Sequence, residues 1–247
     1  MNIVKVTAEN QIEVKVACSN CNVREFCMPV GAPDSLLSQL DELVSVRRRV
    51  KAGATLYHTG SYFHALYAVK NGFIKIENLH DDGRAQITGI YMSGEIFGFD
   101  GIATEEHMCT AVALEDSEVC VIPLSRIEHI GQDLEALQHH FYKLMSREIV
   151  RDHTLMMLLG NMRSEERLAA FLLNLSQRYH LRGYSPYRLV LRMKRDEIGS
   201  YLGMTVETVS RILSKFQEQE LLEVHQKDIR ILNLEGLRML IGLYPGK

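Results

Sequence analysis

The 247 residues are enough for one large domain or two small ones, and an apolar fraction of 46% allows packed cores. The formal net charge of −3 excludes a globally basic surface, so any nucleic-acid-binding surface must be local. No apolar run approaches the roughly eighteen residues of a membrane span, and the N-terminus has no apolar core of signal-peptide type. We therefore expect a cytoplasmic protein without a membrane partner, whose thiols stay reduced.

Three of the five cysteines fall within the short segment CSNCNVREFC. In a reducing compartment such clustering indicates metal or redox chemistry rather than disulfides. The spacing of Cys18, Cys21 and Cys27 lacks the second close Cys or His pair that is typical of structural zinc. An iron–sulfur cluster needs four soft ligands, and Cys120 in the strand-like SEVCVIPL could supply the fourth. From spacing alone, iron–sulfur, zinc and unligated core thiols stay open, and Cys109 is interpreted as a spare buried thiol.

From Leu56 to Pro123 the chain has short β-rich runs separated by turn signals. Asn71-Gly72 and Asp82-Gly83 are strong hairpin signals. The runs LYAVK and FIKIE alternate in a way that predicts half-buried strands. Many short strands with glycine-centred turns predict a small barrel or jelly roll.

The stretch from Leu134 to Asn161 has no proline and a single glycine, and its helical spacing predicts one long helix. Five residues in it follow the three- and four-residue spacing of a two-stranded coiled coil. These residues, the seam, are the predicted dimer interface: Tyr142, Met145, Ile149, Asp152 and Met156. Asp152 would face its symmetry mate, and two carboxylates about 4 Å apart repel by roughly 4 kcal/mol at an effective dielectric of 20. Alternatively, Asp152 points to water and the interface lies slightly elsewhere.

The run SEERLAAFLLNLSQRYH predicts a helix that begins at Ser164 and ends before Gly183. A helix-turn-helix is predicted next. Its parts are a second helix over Lys194–Leu202, a turn at Gly203 and a third helix capped by Thr205. The residues predicted to be buried in it are Ile198, Leu202, Val209, Ile212, Leu213 and Phe216.

The outward side of the third helix suits base recognition. Its candidate DNA contacts, the recognition face, are Val206, Glu207, Ser210 and Arg211, with Ser214 further along. Arginine can bond two guanine acceptors, a carboxylate can accept from cytosine N4, and serine can bond phosphate or base. LLEVHQKDIRIL then predicts two strands around a QKD turn, as in a wing. An ordinary helical hairpin with solvated charges is the alternative.

These elements predict an α+β fold in four parts. They are a cysteine-rich segment at 1–30, a β-roll of jelly-roll, cyclic-nucleotide-binding-like type at 31–130, a dimerisation helix at 131–161 and a winged helix-turn-helix domain at 162–247. The sequence contains no Gly-rich phosphate loop, HExxH or nucleophile elbow, so we do not expect an enzyme.

The same order of parts, with CSNCNVREFC, VCVIP, EERLAAFLLNLS and LGMTVETVSR, resembles the FNR type of the CRP/FNR transcription regulators. The resemblance covers the chain from about Cys18 to Leu234. It implies one 4Fe–4S cluster per subunit, with Cys18, Cys21, Cys27 and Cys120 as ligands. It also implies base contacts from Glu207, Ser210 and Arg211, with Val206 nearby.

The resemblance further implies an oxygen-sensing activator and repressor of anaerobic metabolism. In this interpretation the intact cluster promotes a homodimer that binds a TTGAT-N4-ATCAA-like palindrome and contacts RNA polymerase. Oxidation of the cluster would release ligands and leave monomers, which lose the affinity gained from the second half-site.

Three alternatives follow from the same family and composition. Relatives with this β-roll bind cyclic AMP through a Gly-Glu pair and a later Arg-Ser/Thr-Ala run, but here Gly94-Glu95 is kept and the later run reads Met108-Cys109-Thr110-Ala111. Because the arginine that would pair with phosphate is missing, Gly94 and Glu95 are interpreted as turn and fold residues. A haem sensor could use His58, His64 or His80. A DNA-binding protein stabilised by structural zinc would be indifferent to oxygen.

Overall fold

A computed structural model describes residues 6–7, 11–12, 18, 21–23, 27, 44, 46–79, 83, 85–125 and 135–242. The chain divides into two compact units, Met1–Ile149 and Val150–Lys247. The predicted boundaries at 30/31 and 130/131 lie outside the described residues. Within the part of the chain that is described, no helix has both the length and the apolar character to cross a membrane.

The first unit is built mainly of antiparallel strands. They are β1 (Val6–Thr7), β2 (Gln11–Ile12), β3 (Val46–Val50), β4 (Thr55–Tyr57), β5 (Ala65–Asn71), β6 (Phe73–Leu79), β7 (Ala85–Met92), β8 (Ile96–Phe97), β9 (Thr110–Ala113) and β10 (Ser117–Pro123). Two four-stranded sheets have the orders β3-β10-β5-β8 and β4-β9-β6-β7, and β1 pairs with β2. The predicted β-roll is confirmed, and β3 adds a strand upstream of the predicted β-rich region.

Strand β5 is buried on both faces, so the prediction that LYAVK is half-buried is wrong. Tyr67 and Val69 pack into the core between the sheets. Leu66 and Ala68, on the opposite face, pack into a second core that contains cysteines. Alternation in β5 therefore separates two cores rather than core and solvent, whereas in β6 the prediction is confirmed, because buried residues alternate with half-buried ones.

The two hairpin signals have different outcomes. Strands β6 and β7 pair along their length, ending at Leu79↔Ala85, so the Asp82-Gly83 hairpin is confirmed although Asp82 lies outside the described residues. The Asn71-Gly72 hairpin is wrong, because β5 and β6 belong to different sheets. Gly72 has φ +91°, and a Cβ there would lie 2.8 Å from the Ser117 Cα, so the turn must be glycine for close packing of the sheets.

Asp100 fastens the loop that precedes β9. Its carboxylate accepts hydrogen bonds from the Met108 amide at 2.8 Å, the Cys109 thiol at 3.1 Å and His107 Nδ1 at 3.4 Å. Burial alone would raise the pKa of Asp100, but the hydrogen bonds from His107, Cys109 and Met108 lower it below its ordinary value. Cys109 is buried, as predicted.

Asp100→Asn is expected to lower the free energy of unfolding of the first unit by about 2 kcal/mol at neutral pH, because charge-assisted bonds are lost. The folded-state pKa of Asp100 lies below its unfolded value. The contribution of Asp100 to the free energy of unfolding is therefore complete above its unfolded-state pKa and is lost as the pH falls through its folded-state pKa. Urea unfolding at neutral and acid pH should show the wild type and Asp100→Asn converging in acid. An equal difference at every pH would contradict this.

The predicted long helix is confirmed as α1 (Glu135–Asn161), which spans 27 residues. In the first unit, Phe141 and Leu144 of α1 pack against the cysteine-containing core. Tyr142 and Ile149 are 53% and 55% exposed. In the second unit, Asp152 is exposed and Met156 is 60% exposed.

Up to residue 242, where its description ends, the second unit contains four further helices and a three-stranded sheet. The elements are α2 (Ser164–Leu181), β11 (Arg188–Val190), α3 (Arg195–Leu202), α4 (Val206–Glu218), β12 (Leu222–His225), β13 (Asp228–Ile231) and α5 (Leu234–Leu240). The helix-turn-helix and the two wing strands are confirmed. Strand β11, which pairs with β13, was not predicted, since three residues carry too little periodicity to identify a strand.

Candidate functional site

The structure brings the four predicted cysteine ligands to one place. Cys18, Cys21, Cys27 and Cys120 line a pocket with about 360 Å³ of empty space, part of it open to solvent. We call it the thiol pocket; its other lining residues are Val23, Val44, Ala68, Val69, Lys70 and Ile122. Cys109 does not line it and packs in the other core.

Strand β10, a turn between Cys18 and Cys21, and a contact with Gly94 position these thiols. Cys120 lies in the middle of β10, where its neighbours in the sheet are Arg47 and Ala68. The Cys21 amide donates to the Cys18 carbonyl at 3.0 Å, so a tight turn places both thiols together. The Cys27 thiol lies 3.5 Å from the Gly94 carbonyl and donates to it.

Burial and neighbouring charged groups change the pKa values of the thiols in the pocket. Burial raises the pKa of the Cys27 thiol, and the neighbouring Cys120, Cys21 and Cys18 raise it further. Burial also raises the pKa of Cys120, and the Arg47 guanidinium opposes this. Lys70 Nζ lies 3.4 Å from Cys21 Sγ and also contacts the Asn22 side chain. Two cationic side chains therefore stand beside thiols that would carry negative charge as metal ligands.

The four thiols of the pocket are a donor set that suits an iron–sulfur group. Among the described residues, no group of three or more His, Cys, Asp or Glu side chains has the geometry to hold a metal ion. One zinc ion bound at about 2.3 Å would require sulfur atoms roughly 4 Å apart. Four cysteines around one apolar pocket suit a multinuclear iron–sulfur group, in which each thiolate binds its own iron.

The interior of the β-roll is filled by aromatic side chains. The rings of Tyr57 and His107 stack at 3.5 Å, and Tyr67 packs against Phe97 at 5.6 Å. All four residues are at most 6% exposed. Such packing occupies the interior of the β-roll, and Cys109 packs in the same core.

The Gly94-Glu95 pair has a role in the fold, as predicted. Gly94 has φ +86°, and Glu95 accepts a hydrogen bond from the Met92 amide at 3.1 Å. Of the candidate haem ligands, His58 and His64 are exposed, and His80 lies outside the described residues.

The helix-turn-helix has the geometry that its sequence predicts. Gly203 ends α3 in the left-handed conformation with φ 61°. Thr205 caps α4 by accepting a hydrogen bond from the Thr208 amide at 3.2 Å. The six residues predicted to be buried are each at most 3% exposed.

The recognition face is exposed along α4. Hydrogen bonds from its own amide and the Thr205 side chain lower the pKa of Glu207, which keeps it ionised to accept from a base. The Ser210 hydroxyl donates to the Val206 carbonyl at 2.9 Å, so its oxygen can still accept. Arg211 projects from the same exposed face, so the positions predicted to read bases are accessible.

Sequence reasoning missed the residue that holds the turn in place. Arg167, in α2, donates to the carbonyls of Leu202 at 2.9 Å, Gly203 at 3.2 Å and Met162 at 2.9 Å. The bonds to Leu202 and Gly203 satisfy carbonyls at the end of α3 that have no partner within the helix, and the bond to Met162 holds the segment before α2. No local pattern marks Arg167, since Leu202 lies 35 residues away in the chain.

Comparison with known proteins gives the family. Residues 166–240 match the model of the Crp-like helix-turn-helix domain, and residues 47–133 match that of the cyclic nucleotide-binding domain. The transcriptional regulatory protein btr of Bordetella pertussis is 50% identical over 225 residues, 91% of this chain and 93% of that protein. This chain belongs to the CRP/FNR family of transcription regulators.

Other members of the CRP/FNR family match with similar coverage. The fumarate and nitrate reduction regulatory protein of Vibrio cholerae is 40% identical, over 92% of this chain and 91% of that protein. The solved structure of FixK2 from Bradyrhizobium japonicum has a TM-score of 0.73 at 27% identity, covering 81% of this chain and 98% of that one. The predicted family and fold are confirmed, and the chain is a DNA-binding regulator rather than an enzyme.

Proposed function

We propose that this CRP/FNR regulator senses oxygen through one 4Fe–4S cluster per subunit, held by Cys18, Cys21, Cys27 and Cys120. The observation that carries the proposal is that all four thiols line the thiol pocket, while the fifth cysteine does not. Thiolates are the usual ligands of such clusters. When bound, the cluster supplies an oxygen-labile connection between the N-terminal segment and β10.

The packing around the thiol pocket supports a route to the dimer interface. Cys18, Cys27 and Cys120 belong to the same hydrophobic core as Phe141 and Leu144 of α1. The ligands thus anchor the N-terminal segment against the core on which the helix rests. Loss of these attachments would loosen that core and, with it, the position of α1.

The seam on α1 is the proposed dimer interface. At about 100° per residue its five members lie within an arc of roughly 80°. Tyr142, Ile149 and Met156 expose more than half of their surface, which is unusual for large apolar side chains and suits a partner helix. A homodimer would place two recognition helices on one duplex.

Two recognition helices suit two half-sites about one helical turn apart. We propose a TTGAT-N4-ATCAA-like palindrome, with Glu207, Ser210 and Arg211 of each subunit contacting bases and Val206 nearby. The bound dimer would contact RNA polymerase at some promoters and block it at others, under anaerobic conditions.

The proposal is tested on protein purified without oxygen. We expect about four irons and four sulfides per chain, and a visible spectrum that bleaches in air together with loss of binding to the palindromic duplex. Stoichiometric zinc, or DNA binding that is indifferent to air, would contradict the proposal and favour a structural site.

A matched pair of cysteine variants tests the ligand set. Cys120→Ser is expected to lose most of its iron and at least about tenfold in anaerobic operator affinity, since even a supporting contact of a metal site can cost that much. Cys109→Ser is the control, because a hydroxyl can still donate to Asp100 and Cys109 lies outside the thiol pocket. Iron content and fluorescence anisotropy measure both effects. Equal iron in the two variants would remove Cys120 from the ligand set.

A further inference from the structure

Helix α1 carries a buried histidine that reaches the segment bearing Cys27. His140 is 9% exposed, and its Nε2 lies 3.0 Å from the Cys27 carbonyl oxygen, 113 residues away in the chain. A carbonyl oxygen only accepts hydrogen bonds, so Nε2 carries the proton and donates. This contact joins the main chain of a proposed cluster ligand to the proposed dimerisation helix.

The position of His140 on α1 suits a link between the thiol pocket and the proposed dimer interface. Ile149 follows nine residues later, which places it about 180° around the helix. His140 therefore faces the cysteine segment while Ile149, 55% exposed, points the opposite way. A displacement of α1 at His140 would also move Tyr142, Met145 and Ile149 of the seam, because the backbone between His140 and Ile149 is continuous helix within the first unit.

Helix α1 has other contacts in the first unit, among them a hydrogen bond to β7 and apolar packing in the same core as Cys18 and Cys27. The Tyr91 hydroxyl donates to Glu148 at 2.5 Å, which fastens the helix to β7. The Phe141 ring packs against Phe99 with a centroid distance of 5.8 Å. Apolar packing is non-directional, whereas the hydrogen bond from His140 fixes a distance and an angle to one backbone atom.

We infer that His140 is a positioning residue that conveys the position of the Cys27 backbone to α1 and so sets the strength of dimerisation. The inference rests on the proposed function, since it assigns a path between the thiol pocket and the dimer interface. Removal of the imidazole donor would remove this hydrogen bond and so separate the thiol pocket from α1.

The test compares dimer dissociation constants of cluster-loaded and metal-free protein by anaerobic sedimentation equilibrium. The ratio of the metal-free to the loaded constant measures the coupling. His140→Leu is expected to keep its iron and sulfide and to lower this ratio about tenfold, as for the loss of one buried hydrogen bond. His140→Gln, whose amide can still donate, should restore most of the ratio. The exposed neighbouring variant His139→Leu should leave it unchanged.

A readout that needs no cluster accompanies this comparison. In metal-free, reduced protein, His140→Leu should raise the rate of Cys27 alkylation by iodoacetamide about tenfold, because the segment is no longer held. Mass spectrometry gives the rate for each cysteine. Cys109, in the other core, should react at the wild-type rate in every variant. An unchanged Cys27 rate would overturn the inference without reference to iron.

The outcomes separate the inference from the proposed function. If the metal-free and cluster-loaded wild-type proteins had nearly the same dimer dissociation constant, the proposed function would be overturned, and with it the role of His140. A large wild-type ratio that His140→Leu leaves intact would overturn the role of His140 alone. If His140→Leu does not load, the ratio is measured on His140→Asn, whose shorter side chain does not reach the Cys27 carbonyl.

Discussion

Gly199→Ala is expected to abolish tight operator binding while leaving the first unit folded. A Cβ on Gly199 would lie 2.5 Å from the Met204 carbonyl oxygen, a backbone atom that cannot move without opening the turn. The Gly199 carbonyl also accepts the Met204 amide at 2.9 Å, so the same contact sets the angle between α3 and α4. We expect the second unit to lose about 3 kcal/mol of stability, as for severe overpacking.

The effect on DNA binding should exceed the effect on folding. Displacement of α4 by even a fraction of an ångström misplaces the recognition face at each half-site, and a loss of about 1.4 kcal/mol per subunit lowers the affinity of a dimer by about 100-fold. Fluorescence anisotropy with the palindromic duplex measures this, and thermal unfolding followed by circular dichroism measures stability.

Gly160→Ala is the matched control. Gly160 is also helical, but no atom lies within 4 Å of a Cβ placed on it. Alanine should leave stability unchanged or raise it by up to about 1 kcal/mol. If Gly199→Ala bound DNA as tightly as Gly160→Ala, close packing at the turn would not set the geometry of the helix-turn-helix.

The helix-turn-helix could be predicted from sequence because local rules specify most of it. Gly203 has the left-handed backbone that a sharp turn needs, and Thr205 caps the following helix as its hydroxyl allows. The buried stripe of α4 follows helical periodicity without exception. Each of these features depends on residues within a few positions of one another.

The β-roll was predicted as a class but not in its pairing. Asn71-Gly72 satisfies the local rule for a hairpin, yet tertiary packing separates β5 and β6 into different sheets. Sequence carries the turn preference but not the choice of partner strand, which depends on contacts distant in the chain. For the same reason the burial of both faces of β5 was missed.

The thiol pocket likewise has residues that the sequence can identify and one neighbour that it cannot. The spacing of Cys18, Cys21 and Cys27 indicates a site, Cys120 is a candidate fourth ligand from the strand-like SEVCVIPL, and the family resemblance implies all four as ligands. His140 had no such signal, because a single buried histidine in an amphipathic helix looks like any other core residue. Its partner is a backbone carbonyl 113 residues away, which no side-chain pattern encodes.

Asp152→Ala is expected to dimerise in air, without the cluster. Asp152 lies on the same stripe of α1 as Ile149 and Met156, and it is exposed in the single chain. In a two-fold dimer its carboxylate would approach that of the partner helix. A repulsion of roughly 4 kcal/mol at 4 Å would weaken the dimer by up to about three orders of magnitude, so its removal should strengthen dimerisation by a comparable factor.

Three further variants separate charge from packing. Asp152→Asn keeps the shape and removes the charge, so it should dimerise in air like Asp152→Ala, whereas Asp152→Glu should stay monomeric. Thr154→Ala changes an exposed neighbour that points away from the seam, and it should behave as the wild type. Sedimentation equilibrium on aerobic, metal-free protein gives each dissociation constant.

High salt should strengthen wild-type dimerisation by screening and leave Asp152→Asn little changed. If Asp152→Ala and Asp152→Asn both remained monomeric in air, charge repulsion would not hold the oxidised protein apart, and the interface would lie elsewhere on α1.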